Sequence, residues 1–232
     1  MFPTRSYQKE LLDRESIPAE DLYRNLEELD FINTWLGGHA ITLSGLKDTI
    51  KDLPMNRVIT IADIGCGGGD NLKFLAKWAR TQKITLKFYG IDLKEECIDF
   101  ARRNCSEYPE ITFVQSDYRH IKEQFDIIAS ALFCHHLNDG QLVEYLTWCK
   151  KQSCVAFFIN DLQRHYLAYM SIKLLTRLFS RSYLVKNDAP LSVKRGFYRK
   201  ELQDSCLEAN TQPATIKWKW AFRYLLIYRH ST

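Results

Sequence analysis

The stretch best equipped for chemistry is ITIADIGCGGGDNLKFLAKW, residues 59–78. An apolar run closes on Asp63, glycines follow at Gly65, Gly67, Gly68 and Gly69, and a helical pattern starts at Asp70. Glycines at a strand-to-helix turn let a ligand approach the backbone closely, and the helix start offers free N–H groups with partial positive charge. Three ligand classes suit such a turn: a dinucleotide, a nucleoside phosphate, or a nucleotide-like compound without phosphate. A phosphate loop would close on Lys-Ser or Lys-Thr, where this chain has Asp70-Asn71. A dinucleotide turn wants a third glycine where Asp70 stands, and a carboxylate there would repel a pyrophosphate. Asp63 adds a second acid. Acids beside glycines suit a cationic ligand such as S-adenosylmethionine, which carries a sulfonium and an ammonium. A helix-capping role is the structural alternative for both acids.

Further candidates follow at strand ends. Asp92 closes FYGIDL, where a carboxylate can accept ribose hydroxyls. Asp117, in VQSDY, can accept the exocyclic amine of an adenine or cap the following turn. His135 and His136 follow the run FDIIASALFC, at the edge where open sheets place their ligand crevice. A histidine there serves as a base or touches substrate, or packs against a carbonyl. Packing is the favoured reading for His136. No metal is expected: adjacent residues on one element point apart, and no third ligand is evident. Asn160, Arg164 and His165, in NDLQRH, are placed to orient an acceptor, as are Trp35 and His39 in WLGGH, a hinge-like glycine pair or a helix C-cap.

The elements that position these residues are legible in the periodicity. Ala19–Leu36 is expected as an amphipathic helix, with a shorter helix over Ile41–Leu53. Strands then alternate with helices: Arg57–Ile64, Ile84–Ile91, Ile111–Val114, Phe125–Ala131 and Val155–Ile159 are strands, and Asp70–Arg80, Lys94–Asn104 and Gln141–Cys149 are helices. That order predicts a parallel sheet covered on both sides. His165–Phe179 reads as a helix, 187–190 as a polar loop, Arg199–Ala209 as a helix, and Ala214–Tyr228 as two strands broken near Trp220. Lys173, Arg177 and Arg181 form a basic face on the 165–179 segment. A lid packed on the sheet edge is its favoured role, a lipid contact the alternative.

Composition bounds the rest. The chain has 232 residues, 46% of them hydrophobic, enough for one sizeable core with a small appendage. Its net charge of +4 is spread among charges of both signs, and a nucleic-acid binder would cluster it. No stable membrane insertion is expected, because no apolar run reaches spanning length. Seven cysteines without a C-x-x-C pair point to reduced thiols in a cytoplasmic setting and against structural zinc.

Taken in order, DIGCGGGD, GID, SD and FDIIASALFCHHL resemble the class I S-adenosylmethionine-dependent methyltransferases, from about Val58 to Tyr228. CHHL is similar to the small-molecule branch that includes quinone-biosynthesis enzymes. The resemblance implies an α/β, Rossmann-like seven-stranded sheet of order 3-2-1-4-5-7-6 with strand seven antiparallel, helices on both faces, and an N-terminal helical cover. The expected division is 1–54 for the cover and 55–232 for the binding domain. The resemblance further implies that Asp63, Gly65, Cys66, Gly67, Gly69 and Asn71 cradle the methionine and ribose end of S-adenosyl-L-methionine. Asp92 would hold the ribose, Leu93, Ser116, Asp117 and Tyr118 would surround the adenine, and Ala131 and Leu132 would lie under the methionine end. His135, then His39 or His165, would be the base, and Trp35, His136, Asn160 and Arg164 would face the acceptor. ALFC replaces the NPPY-type motif of amine and nucleobase methylation, which favours an oxygen or carbon acceptor: a small hydrophobic or aromatic molecule such as a phenolic polyketide or quinone precursor. An NAD-dependent oxidoreductase and a non-catalytic S-adenosylmethionine-binding partner remain the alternatives.

Overall fold

A computed structural model describes residues 2–14, 16–54 and 57–230. Seven strands form one sheet: β1 (Ile59–Ile64), β2 (Leu86–Asp92), β3 (Ile111–Gln115), β4 (Phe125–Ala131), β5 (Ser153–Leu162), β6 (Thr215–Lys219) and β7 (Arg223–Arg229). Their order is β3-β2-β1-β4-β5-β7-β6. The first five are parallel, and β7 runs antiparallel between β5 and β6, as expected.

The apolar runs alternate faces residue by residue. Ile61, Ile127, Phe158 and Leu225 pack into one core, while Ala62, Ile128, Phe157 and Leu226 pack into the other. Burial on both faces is why these strands read as nearly continuous apolar runs. The first core is closed by α2 (Gly38–Ile50), α3 (Asp70–Gln82) and α4 (Glu95–Asn104). The second is closed by α5 (Asp139–Gln152) and α8 (Arg199–Glu208). Above the strand ends lie α1 (Ala19–Trp35), α6 (Tyr166–Phe179) and α7 (Tyr183–Arg195). The expected boundary between 54 and 55 abuts residues 55–56, which lie outside the described residues.

The structure corrects one element. Residues 187–190 are not a loop but the middle of α7, with Pro190 inside the helix. Asn, Asp and Pro are turn formers, and Pro190 has no N–H to give the preceding turn. Tertiary packing overrides them: Leu184, Val185, Leu191 and Val193 are buried, and the Ser182 hydroxyl caps the helix by accepting from the Val185 N–H. Asp188 is itself used, accepting from the Leu11 and Leu12 N–H groups at 2.8 and 2.9 Å. That contact ties the N-terminal segment onto α7.

Candidate active site

The glycine turn opens into a cavity of about 750 Å³ at the carboxyl ends of β1, β2 and β4. Gly65, Gly67 and Gly69 all adopt positive φ, at 70°, 51° and 77°. A Cβ on Gly65 would strike the Phe133 ring at 2.5 Å. A Cβ on Gly67 would meet only Leu26, at 3.7 Å, so it would project into the cavity. The Asp92 carboxylate spans two backbone donors, taking the Gly67 N–H on Oδ2 and the Lys94 N–H on Oδ1, both at 3.0 Å. It therefore fixes the glycine turn to the end of β2. Burial raises its pKa, and those N–H donors counter the rise.

Asp63 lies beneath the turn, buried, with Oδ1 unpartnered among the described residues. Burial, and then the Asp92 charge, push its carboxyl up to about 8. Asp70 opens α3 and accepts from the Asn104 amide at 2.8 Å; burial and the Asp30 charge raise it to about 6. Three acids in this condition need a cation to be comfortable as carboxylates.

A second cavity of about 350 Å³ adjoins the first. Both are lined by Leu12, Leu29, Asn33, Leu132 and His136. Leu132 takes the left-handed conformation, φ 56°, unusual for a leucine. Most of the second cavity is apolar, with side chains from α1, α6 and α7.

A buried polar cluster stands beside the second cavity, and one member, His136, lines both. His135 Nδ1 lies 2.8 Å from Asp161 Oδ1, and Asp161 Oδ2 accepts from the His135 N–H at 3.1 Å. Burial opposes ionisation of Asp161, but the histidine and these hydrogen bonds hold its pKa low, so Asp161 accepts and Nδ1 carries the proton. His135 Nε2 then faces Glu10 Oε1 across 3.7 Å. His136 Nδ1 pairs with Asp13 at 3.0 Å, and its Nε2 lies 3.8 Å from the same Glu10. Burial lowers the pKa of His136, but Asp13 and Glu10 outweigh it and the net shift is upward. Two arginines hold the turn carrying the histidines. Arg5 donates to the carbonyls of Cys134, His135 and Leu137, and Arg195 to those of His135 and His136.

Residues 61–152 match the family model described as a methyltransferase domain. That stretch is a methyltransferase domain, and the fold around it is the one class I methyltransferases share. The chain's fold matches the plantazolicin methyltransferase in complex with SAH (17% identity, 92% of this chain and 89% of that one, TM-score 0.63). It also matches human N-acetylserotonin methyltransferase in complex with SAM (16%, 93% and 57%, 0.66) and magnesium protoporphyrin IX methyltransferase from Synechocystis with bound SAH (15%, 97% and 90%, 0.53). No curated protein sequence is detectably similar to the chain. The methyltransferase-domain match over the glycine turn counts against a dinucleotide there.

The larger cavity fits a cationic adenosyl compound such as S-adenosylmethionine. Its floor is a backbone free of side chains at Gly67, and an unpartnered buried carboxylate oxygen sits directly below. The structure gathers Gly65, Cys66, Gly67, Asn71, Asp92, Leu93, Ser116, Asp117, Tyr118, Ala131, Leu132 and His136 around it, together with His39. Asp117 is already engaged there, capping the next turn through the Arg119 N–H and pairing with the Arg119 guanidinium.

Other expected site residues lie elsewhere. Gly69 is the N-cap of α3, and its missing side chain makes room for Phe113 and Cys105, not for a ligand. Trp35 is 76% exposed and packs at a tilt against the Phe31 ring. Asn160 is buried and donates to the Gly38 carbonyl and the Thr42 hydroxyl, stapling α2 to β5. Arg164 is buried against Glu201 and the Gly196 carbonyl. His165 caps α6, accepting the Leu167 N–H, and stacks on Phe222. His39 does line the larger cavity, but both of its ring nitrogens are taken, Nδ1 by Asn71 and Nε2 by Asp30.

The expectation that His135 and His136 point apart is also corrected. They sit on a 3₁₀ turn, Cys134–His136, which brings their rings to 4.4 Å and turns both toward Glu10. Glu10 and the two histidines have the spacing of a metal triad. Arg195, 3.9 Å from Glu10, already supplies positive charge there. Glu10, Asp13, Asp161 and Arg195 escaped the sequence reading as site residues. Asp161 had a usable signal, its place at a parallel strand's carboxyl end. The others meet the histidines only through the fold.

Proposed function

We infer that this methyltransferase modifies an oxygen, or a carbon, of a small hydrophobic or aromatic acceptor, of the class of phenolic polyketides and quinone precursors. The observation that carries this reading is the junction of the two cavities. A cofactor-sized space shares five lining residues with a smaller, mostly apolar one, and His135, paired with the buried Asp161, lines the smaller one. When bound, S-adenosylmethionine supplies an electrophilic methyl group.

The chain's own residues do the remainder. Asp92, the Gly65–Gly67 backbone, Leu93, Ser116 and Tyr118 hold and orient the adenosyl end, and Asp63 supplies negative charge from below. Leu132 separates the chambers and sets the angle between them. Orientation of this kind can supply much of a rate enhancement. Asp161 fixes the His135 tautomer and leaves Nε2 free toward the second chamber, where it can take the proton of an acceptor hydroxyl. Glu10, across the gap, gives that hydroxyl a second polar neighbour. Residues 1–54 act as the cover: Leu12, Leu29 and Asn33 wall both spaces.

The test is turnover. The protein is incubated with S-adenosylmethionine and a panel of alkylated phenols, hydroquinones, amines and nucleosides, with S-adenosylhomocysteine release and product mass as readouts. Methylation confined to phenols or hydroquinones supports the reading. Methylation of amines alone contradicts the acceptor class, and cofactor binding without turnover on any acceptor favours a non-catalytic partner protein.

A further inference from the structure

Helix α6 is built unlike the other helices of the fold. Leu167, Met170, Leu174 and Leu178 recur along one stripe, and solvent meets that stripe rather than the core: Leu174 is 59% exposed and Leu178 65%. Phe179 continues it at 75%. Within the helix only Thr176 is buried. A contiguous apolar surface of this kind is costly to leave in water and marks a contact site. Its charges share one sign. Lys173 and Arg177 flank the apolar stripe, Arg181 follows, and α6 contains no acidic residue.

We propose that α6 is a membrane-docking helix that lays its apolar stripe into the interface of an anionic bilayer. The apolar row enters the boundary between headgroups and acyl chains, and the long cationic side chains reach the lipid phosphates. Charge complementarity selects this occupant over a second copy of the chain, because pairing two α6 faces would bring like charges together. No helix among the described residues is long and apolar enough to cross a membrane, so the contact is peripheral. The helix end is anchored rather than free: Glu28 of α1 accepts from the Ser180 hydroxyl and from the Arg181 and Ser182 N–H groups.

The neighbouring side of the same helix gives the docking a purpose. Ala168, Ile172 and Leu175 line the second cavity, together with the exposed Trp220. A bilayer against α6 would sit beside that chamber. Resting on the methyl-transfer reading above, the acceptor is then an amphiphile dissolved in the bilayer, with its hydroxylated head at His135 and its tail among the side chains under α6.

The test is flotation of the purified chain, without cofactor or acceptor, on vesicles of phosphatidylcholine alone and of phosphatidylcholine with phosphatidylglycerol. The chain is expected to float with the anionic vesicles. Lys173→Gln and Arg177→Gln should each weaken that binding about fivefold. Leu174→Glu with Leu178→Glu should abolish it while leaving the melting temperature and S-adenosylmethionine affinity unchanged, since both side chains are exposed. A chain that stays in solution with anionic vesicles, floats equally well after the double leucine change, or instead forms a dimer that this change dissolves overturns the proposal. Flotation without methyl transfer to any acceptor would leave the docking helix standing and remove the catalytic reading.

Discussion

His135 Nδ1 sits 2.8 Å from Asp161 Oδ1, and both side chains are buried beside the smaller of two joined cavities. A carboxylate held in its ionised form fixes one nitrogen as donor, and that leaves the other for an acceptor's proton. Asp161→Asn would offer an amide that stabilises either tautomer. Turnover is expected to fall by about 10²–10⁴, with S-adenosylmethionine affinity unchanged by calorimetry. His135→Ala should lower turnover in the same way; activity equal to the parent would make the pair structural.

Asp92 bridges the Gly67 and Lys94 N–H groups, so it shapes the turn while lining the larger cavity. Asp92→Ala should weaken S-adenosylmethionine binding by about ten- to a hundredfold, the scale of losing charge-assisted hydrogen bonds. Unchanged affinity would refute a ribose-binding role.

Gly67 combines a φ of 51° with a Cβ direction that points into the cavity. Gly67→Val places a branched side chain where the ligand must lie, and strains the backbone by about 1–2 kcal/mol. The fold should survive, as read by circular dichroism, while cofactor binding is lost.

Asp63 gives a pH dependence whose sign is fixed. Burial and then the Asp92 charge raise its folded pKa to about 8, far above the unfolded value of about 3.9. The native state therefore prefers the protonated acid, and stability falls as pH rises from about 4 to about 8. Asp63→Asn should raise the stability at pH 9 by on the order of 2 kcal/mol, read as a higher melting temperature, and leave it unchanged near pH 4. A cationic ligand prefers the ionised acid, so cofactor affinity should fall as pH drops below 8, by at most about tenfold per unit. Asp63→Asn should flatten that profile.

Much of the lining of the larger cavity was legible in the sequence because it is local. Asp63, the glycines, Asp92 and Leu132 each end or follow a strand, and strand ends can be found from periodicity alone. The polar cluster beside the smaller cavity was not local. Glu10 meets His135 from 125 positions away in the chain, through α7 and the buried Arg5 and Arg195. Asn160, Arg164 and His165 sit in the right segment, yet each is taken by a staple, an ion pair or a helix cap. Burial and partner choice depend on the packed fold, and the order of residue types does not encode them. The helix α7 was hidden for a related reason: Asn187, Asp188 and Pro190 favour turns, and only the buried neighbours make them helical.

Titration calorimetry with S-adenosylmethionine and, separately, NAD⁺ tests the central claim most directly. One-site binding of S-adenosylmethionine that Asp92→Ala weakens is expected, with no heat from NAD⁺. Saturable NAD⁺ binding, or no heat with S-adenosylmethionine at pH 8, would contradict it.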